Sequence, residues 1–225
     1  MTAEPDISGQ VVVRRGPETR EAIHRAAIDL FAKLGYHATS MRALAAAADV
    51  QPAAIYHWYP SKEAILIHLQ DDFMEQLTAR VTAAMGEQEQ AAMKLAAAVR
   101  EHVVYHGLHT SEAFVTDSEI RALADEPRRE LIAKRDDYQA IFSGLIAAGI
   151  DEGSLRASDV DVATYAILLQ CTGVALWFDA DGPLGLDEVA ALHVDLVLGS
   201  LHADRSRIDT AIAAVSPRSS AAARS

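Results

Sequence analysis

Apolar residues recur at the three- and four-residue spacing of an α-helix along most of this 225-residue chain. In the first such run, Ile23, Ala27, Leu30, Phe31 and Leu34 share one helical face. No run alternates apolar and polar residues between turn residues, as a half-buried strand does. The sequence therefore predicts an all-α fold, with about nine helices by this spacing.

Helix start and stop signals divide residues 14–68 into short helices. Gly35 is suited to the left-handed conformation that ends a helix. Thr39 or Ser40 can cap a second short helix, and Gln51–Pro52 can open a third. We therefore expect residues 14–68 to be a three-helix domain with a helix-turn-helix, leading into a long fourth helix.

Residues 69–204 continue the helical pattern and are expected to form a larger domain. Its predicted helices lie near 89–107, 111–123, 127–149, 159–179 and 186–202. Ser158 and Asp161 resemble a capping box at the start of the segment 159–179. This segment is apolar on almost all sides, so we expect it to be buried inside the domain or against a second copy.

The two ends of the chain lack this periodicity. Residues 1–13 are mixed in composition, and residues 205–225 are rich in Ser, Ala and Arg. Such composition is typical of segments that cannot bury enough apolar surface to fold. We therefore expect a disordered N-terminal arm and a disordered tail.

The formal net charge of −12 argues at first against nucleic acid, because contacts to phosphate need Lys and Arg. The charge is unevenly distributed, however. Residues 14–68 hold seven Lys or Arg and five Asp or Glu, a net charge of +2. Because the total is −12, the rest of the chain has a net charge of −14. This asymmetry permits a DNA-binding segment on an acidic body, although a solvated acidic surface gives the same count.

Composition also limits the compartment and the chemistry. A single cysteine, Cys171, allows no internal disulfide and favours a reducing cytoplasm. The start of the chain has no secretory pattern, and no run reaches the roughly 18 apolar residues that span a bilayer, so we expect no membrane partner. No phosphate loop, nucleophile elbow or dinucleotide fingerprint is present, so we expect neither an enzyme nor a cofactor.

Residues 39–68 carry the side chains best suited to DNA. A short capped helix, a tight turn at Asp49–Val50 and a second short helix form the helix-turn-helix arrangement. Small residues at Ala53 and Ala54 allow close approach to the major groove, and Gln51 can read adenine. The alternative is a compact three-helix corner with the aromatic residues as its core.

The detailed motif distinguishes these interpretations. The segments Thr39–Ala45, Asp49–Val50 and Ala53–Leu66 closely resemble the DNA-binding segment of the TetR family of repressors. Departures from the family pattern are Asp49 for a turn glycine, Gln51 for Ser or Thr, Ala53 for glycine, and Trp58–Tyr59 for His-Phe or Tyr-Phe. We expect these differences to change which operator is read.

The resemblance implies roles for individual side chains. Tyr56 and Lys62 would clamp phosphates, Thr39, Ser40 and Arg42 would anchor the second helix, and Gln51, Pro52, Ala53 and His57 would face bases, with Trp58 beside them. Arg14 and Arg15 are expected to reach the backbone or the minor groove, whereas Ile55 and Tyr59 belong to the core. Lys62→Ala is then expected to weaken binding to all DNA sequences alike and to reduce the salt slope by about one.

The resemblance also implies a homodimer, paired through its last two long helices, on a pseudo-palindromic operator. The helices between residues 89 and 179 would surround a pocket for a small apolar effector that releases the DNA. Candidate lining residues are Val99, Val103, His106, Phe114, Tyr138, Phe142, Tyr165, Leu169 and Trp177. Taken singly, each of these residues is more often part of an ordinary core.

Arginines near the predicted pocket suggest the effector class. The pattern Arg121, Arg128–Arg129 and Arg135–Tyr138 resembles, less specifically, the C-terminal domain of TetR-type repressors of fatty-acid and sterol catabolism, whose members sense acyl-CoA thioesters. An apolar tunnel would hold the acyl chain, with Arg121 and Arg135 near its mouth for the CoA phosphates. The arginines equally suit solvated helix faces, where they offset neighbouring acids.

Two alternatives remain open from the sequence. The effector could be an aromatic or xenobiotic compound, or the chain could be a helical protein without DNA binding. His102, His106 and His109 have the spacing of a helical metal pair, but no acidic or cysteine partner matches it, so we expect no metal.

Overall fold

The computed structural model describes residues 16–216, which form α-helices joined by loops without any strand in that range. The helices are α1 (Gly16–Leu34), α2 (Met41–Ala47), α3 (Pro52–Trp58), α4 (Lys62–Gly86), α5 (Ala91–Leu108), α6 (Thr110–Ser118), α7 (Asp125–Asp151), α8 (Val160–Thr172), α9 (Val174–Trp177), α10 (Leu186–Ser200) and α11 (Arg205–Val215). A 3₁₀ turn, Glu119–Ala122, lies between α6 and α7. The predicted all-α fold is confirmed.

The chain divides into two compact units between Ile65 and Leu66, inside α4. In the first unit, α1 and α3 both pack against α2. The core of this unit contains the fully buried side chains of Ile23, Phe31, Leu44 and Ile55. The division lies close to the predicted boundary after residue 68.

Short-range interactions explain the ends of the first helices. Gly35 has a φ of +82° and its N–H donates to the Phe31 carbonyl, which ends α1. Of the two candidate caps of α2, Ser40 is the one used, since its Oγ accepts from the Ala43 N–H at 3.1 Å. Asp49 ends the turn after α2 with a φ of +54°, a conformation that favours the glycine of the family pattern.

In the second unit α5 is the central helix, and α6 to α11 pack against it. Small buried residues along α5, among them Ala92, Ala96 and Ala98, let these neighbours approach closely. Gly107 has the same role, because a Cβ there would lie only 2.3 Å from Leu186 Cδ1.

Two expectations for this unit were wrong. Residues 205–215 form helix α11 rather than a disordered tail, because Asp204 caps the helix and Ile208 and Ala211 are buried. The predicted helix 159–179 is interrupted at Gly173, and its cap is Asp159, which accepts from Val162 N–H at 2.9 Å, rather than Ser158. The expectations for residues 1–13 and 217–225 lie outside the described residues.

Candidate DNA-binding surface and effector site

Helix α3 exposes one continuous face. Gln51, Pro52, Ala53, Tyr56 and His57 are all exposed on it, and we call this set the recognition face. The predicted core residues Ile55 and Tyr59 are buried on the opposite side. The Gln51 side chain does not cap α3, so its carboxamide remains available for another partner. The recognition face thus presents hydrogen-bond donors and acceptors, and its side chains at the N-terminal end of α3, Pro52 and Ala53, are small.

Trp58 lies at the edge of this face. Its ring is partly exposed and packs against the first residue of α1, since a Cβ on Gly16 would be 3.2 Å from Trp58 Cζ2. Trp58 therefore also helps to position the start of α1. Arg14 and Arg15, which come just before Gly16, lie outside the described residues, and their role stays a prediction.

The three residues expected to anchor α2 act in different ways. Thr39 is buried, and its Oγ1 donates to the Gly35 carbonyl at 3.0 Å. Ser40 uses its hydroxyl as the cap of α2, whereas Arg42 is exposed on the first turn of that helix. Of the three side chains, only that of Arg42 is free of a structural hydrogen bond within the described residues.

Lys62 is held by the protein itself. Its ammonium donates to the carbonyls of Tyr36 at 2.6 Å and Thr39 at 2.7 Å, and it lies 4.2 Å from the centre of the Tyr36 ring. These bonds tie the first residue of α4 to the loop between α1 and α2. An ammonium has three N–H donors, so these contacts use most of its bonding capacity. The geometry favours a positioning role for Lys62 over the phosphate contact expected from the sequence.

A buried polar and aromatic cluster occupies the middle of the second unit. His102 Nδ1 lies 2.8 Å from the Tyr138 hydroxyl, and His102 Nε2 lies 3.1 Å from the Thr172 hydroxyl. The His106 ring stacks on His102 with centroids 4.0 Å apart, and Phe142 meets His102 edge-on. We call these five residues the histidine cluster. These five side chains contact one another by ring packing and hydrogen bonds, and none of them is a carboxylate, an ammonium or a guanidinium.

Burial keeps the histidine cluster neutral. It lowers the pKa of His102 well below its usual value, with the nearby His106 and His193 adding to the effect, and it lowers the pKa of His106 to about 4. Burial likewise raises the pKa of Tyr138 and raises that of Cys171 to about 12. The Cys171 thiol is therefore uncharged and unsuited to nucleophilic chemistry.

Acid is expected to destabilise the second unit through this cluster. The unfolded chain binds a proton at His106 below about pH 6.5, whereas the folded chain does so only below about pH 4. The contribution of neutral His106 to the free energy of unfolding is therefore fully present above about pH 6.5 and is lost as the pH falls towards 4. The loss from His106 alone is about 3 kcal/mol at its limit. Thermal melts at pH 7 and 4.5 test this. His106→Asn is expected to reduce this loss, while His102 keeps its own contribution, and the exposed-site control His37→Asn is expected to show the wild-type loss. Equal losses in all three proteins would contradict the role of His106.

A cavity of about 530 Å³ lies between α4 and α7, next to this cluster. Met74, Thr78, Tyr138 and Ile141 are among its lining residues, and Tyr138 connects it with His102. Lys134, Glu75 and Asp137 also line it, and the Lys134 ammonium lies 2.6 Å from the Asp71 carboxylate and 3.7 Å from that of Glu75. This volume is within the usual range for small-molecule sites.

The structure brings together only part of the predicted pocket lining. His106, Tyr138 and Phe142 meet in the histidine cluster, and Val99 and Val103 are buried on the same helix as His106. The remaining apolar candidates are exposed: Phe114, Tyr165 (60%), Leu169 (78%) and Trp177 (56%). In the single protomer these four side chains are exposed and therefore do not contact the histidine cluster.

The two arginines assigned to phosphates differ in their surroundings. Arg121 is exposed on the 3₁₀ turn. Arg135 is partly buried, and its Nη2 donates to the Thr116 carbonyl at 2.8 Å and to the Asp117 carboxylate at 3.3 Å. Arg135 thus joins α7 to α6, and Arg121 is the more accessible cation of the pair.

The exposed apolar residues of α8, α9 and α10 form a set that we call the α8–α10 surface. Its members are Val162, Tyr165, Leu169, Leu176, Trp177, Leu192 and Leu196. On α8, Thr164, Ile167 and Cys171 are buried within the protomer while the other side is exposed. Burial of that side against a second copy, one of the two alternatives expected from the sequence, stays a prediction.

The stretch Val160–Trp177 has a mean hydropathy of 1.4 and is long and apolar enough to cross a membrane. This differs from the expectation that no run reaches that length. The helix is broken by the turn at Gly173, however, and the expected absence of a membrane partner stays a prediction.

No cluster of three or more His, Cys, Asp or Glu with a metal-binding arrangement occurs within residues 16–216. His109, one of the three histidines considered for such a site, pairs with Glu112. The nitrogens of His102 are engaged by Tyr138 and Thr172.

Comparison with protein families is consistent with this geometry. Residues 23–69 match the family described as bacterial regulatory proteins, tetR family, and residues 88–201 match the tetracyclin repressor-like C-terminal domain. The chain belongs to the TetR family. This TetR-family protein is therefore a ligand-responsive, DNA-binding transcriptional repressor and not an enzyme, and a helical protein without DNA binding is excluded.

Individual relatives support the fatty-acid and sterol branch. The HTH-type transcriptional repressor KstR2 of Mycobacterium tuberculosis is 30% identical over 204 residues, covering 87% of this chain and 96% of the relative. The fatty acid metabolism regulator protein of Bacillus subtilis is 27% identical, covering 79% and 92%. The crystal structure of AibR in complex with isovaleryl coenzyme A and operator DNA has a TM-score of 0.73 at 23% identity, covering 79% and 97%.

Of the residues that line the cavity, only Tyr138 was among the predicted effector contacts, and Met74, Thr78, Lys134 and Ile141 were not expected. Two further buried residues of the second unit were not anticipated either. Thr172 closes the hydrogen-bond chain through His102, and Gln70 is buried on α4. For Gln70 a signal was present, because a polar residue interrupts the apolar spacing of Leu66, Phe73 and Leu77. Thr172 had no comparable signal, since its partner lies 70 positions away in the chain.

Proposed function

We propose that this TetR-family repressor binds a pseudo-palindromic operator as a homodimer and is released by an acyl-CoA thioester. The cavity between α4 and α7 carries this proposal, because Met74, Ala79 and Ile141 give it an apolar part beside Tyr138, while the charged side chains of Lys134, Glu75 and Asp137 also line it. An acyl chain fits the apolar lining, and cations near a cavity suit the CoA phosphates. Arg121 is the further cation that we assign to these phosphates. The structure of AibR with isovaleryl coenzyme A supports the same ligand class.

The recognition face of α3 supplies the DNA contacts. We assign base contacts to Gln51, Ala53 and His57, and phosphate contacts to Tyr56 and Arg42, because all five are exposed. Two copies of a helix-turn-helix domain read half-sites one DNA turn apart. The dimer is therefore needed for strong binding to the operator. The expected location of the protein is the cytoplasm.

The α8–α10 surface is the proposed dimer interface. Apolar residues of this size and exposure are normally covered by a partner, and a two-fold axis pairs the surface with itself. Leu169 and Leu176 are the most exposed of its leucines, at 78% and 75%. This assigns Tyr165, Leu169 and Trp177 to the contact between protomers instead of the effector pocket.

Helix α4 is the element through which the effector can act. It begins at Lys62 in the first unit, and Met74 and Thr78 line the cavity in the second. A ligand changes DNA affinity only by its different affinities for the two forms of the protein. Coupling energies of about 1 to 3 kcal/mol are typical of such systems.

The proposed effector is tested by its ability to release the protein from the DNA that lies upstream of the protein's own coding sequence. We expect isovaleryl-CoA or a longer acyl-CoA to weaken DNA binding by about 5- to 150-fold in a fluorescence anisotropy titration. Free CoA is the control, because it has the phosphates without the acyl chain. The aromatic rings of the histidine cluster favour an aromatic ligand as the second candidate. Release by free aromatic compounds but by no thioester would decide for that candidate.

A further inference from the structure

The buried stripe of α4 in the second unit contains one polar residue. Leu66, Phe73 and Leu77 repeat at helical spacing and are buried, and Gln70 occupies the position between the first two. Only 1% of Gln70 is exposed. Its Oε1 and Nε2 atoms are both buried, and neither makes a hydrogen bond to any residue in the range 16–216.

A buried carboxamide without a partner is unusual. Roughly nine in ten buried polar groups are hydrogen-bonded, because a buried unpaired group loses its bonds to water without replacement. In the same unit His102, Ser154 and Thr164 are also buried and polar, and each makes a hydrogen bond. The donors and the acceptor of Gln70 are therefore left for a polar partner from outside the chain, such as a ligand oxygen or a bound water.

Gln70 lies one helical turn before Phe73, which contacts the histidine cluster, and Met74, which lines the effector cavity. Phe73 packs edge-on against His106 with ring centroids 5.4 Å apart, and Met74 lines the cavity between α4 and α7. Side chains three and four positions apart on a helix are neighbours. The carboxamide of Gln70, with two N–H donors and one carbonyl acceptor, is therefore next to Met74 on the helix and does not itself line the cavity.

We propose that Gln70 hydrogen-bonds to a carbonyl or hydroxyl oxygen on the apolar part of the effector and thereby selects oxygen-bearing effectors. The inference rests on the proposed effector cavity and deepens it. A site built to hydrogen-bond a ligand group rejects an analogue that lacks the group, because the protein atoms then stay unpaired. In an acyl-CoA the thioester carbonyl is such an oxygen.

The first test is the stability of the ligand-free protein. Gln70→Leu removes the carboxamide at similar volume, and we expect the melting temperature to rise by about 3 °C or more, since an unpaired buried group is lost. Gln76→Leu is the matched control on the same helix. Gln76 is exposed and donates to Asp72 at 2.7 Å, so its replacement is expected to give no rise. A lower melting temperature for Gln70→Leu would show that the fold itself satisfies Gln70 and would overturn the proposal.

The second test is selectivity between two ligands that differ in one oxygen. Isovaleryl-CoA and its thioether analogue, S-(3-methylbutyl)-CoA, share the chain and the phosphates, but the thioether lacks the carbonyl. For the wild-type protein we expect operator release to require about tenfold more thioether than thioester. In Gln70→Leu the two ligands are expected to be equivalent. A thioester preference that persists in Gln70→Leu would overturn the proposal and leave the acyl-CoA function intact.

A third ligand pair separates this inference from the proposed function. The pair is 4-phenylphenol and biphenyl, which differ by one hydroxyl. Release by 4-phenylphenol alone, abolished in Gln70→Leu, with no response to either CoA compound, would overturn the acyl-CoA function and support the role of Gln70. A wild-type protein that none of the four compounds releases would count against both.

Discussion

Leu169→Glu is expected to dissociate the dimer and abolish measurable operator binding. Leu169 is 78% exposed on the α8–α10 surface, so its replacement leaves the core of the protomer unchanged. In a two-fold interface each substitution is present twice, and an unpaired carboxylate buried there costs several kcal/mol. We therefore expect the dimer dissociation constant to rise by at least about a thousandfold.

Light scattering after gel filtration and DNA titration measure the two effects of Leu169→Glu. The matched control is Leu108→Glu, because Leu108 is 61% exposed in the same unit but lies outside the α8–α10 surface. This control is expected to remain dimeric and to bind the operator. A Leu169→Glu protein that stays dimeric with unchanged operator affinity would refute this interface.

Lys62→Met is expected to destabilise the DNA-binding unit by about 2 kcal/mol, since hydrogen bonds from a charged group to the protein are each worth more than neutral ones. The substitution removes the donors that hold the Tyr36 and Thr39 carbonyls but keeps most of the aliphatic chain. We expect operator affinity to fall for all DNA sequences alike, because the helix-turn-helix loses its support. The slope of log affinity against log salt is expected to remain unchanged.

Arg42→Ala is the matched control for Lys62. Arg42 is exposed on α2 and is a proposed phosphate contact, so its replacement is expected to lower the salt slope by about one without changing stability. Urea unfolding and titrations at several salt concentrations give both quantities. If Lys62→Met behaved as Arg42→Ala is expected to, Lys62 would be a phosphate contact as the family resemblance implied.

Features that depend on near neighbours in the chain could be predicted. Gly35 ends α1, Ser40 caps α2 and Pro52 opens α3, because each of these effects involves residues within one helical turn. The buried Ile55 and the exposed Tyr56 agree with the places that the family resemblance implied for them. The family resemblance then made the helix-turn-helix recognisable as a DNA-binding unit.

Helix α11 shows where local patterns were insufficient. Ile208, Ala211 and Val215 recur at helical spacing, but short apolar residues in an Ala- and Ser-rich segment resemble a disordered tail. Packing of α11 against α5 and α10 supplies the stability that the segment alone lacks.

The sequence by itself determined the all-α fold, the positions of most helices and the recognition face of α3, since helical spacing and caps are local properties. The tertiary structure decided the direction of Lys62, whose ammonium reaches carbonyls 23 and 26 positions earlier in the chain. It also decided that Ile167 and Cys171 face the core of the protomer while Tyr165 and Leu169 face outward. A helix that is apolar on all sides carries no pattern that distinguishes its inner face from its outer face, and only the packing of its neighbours does so.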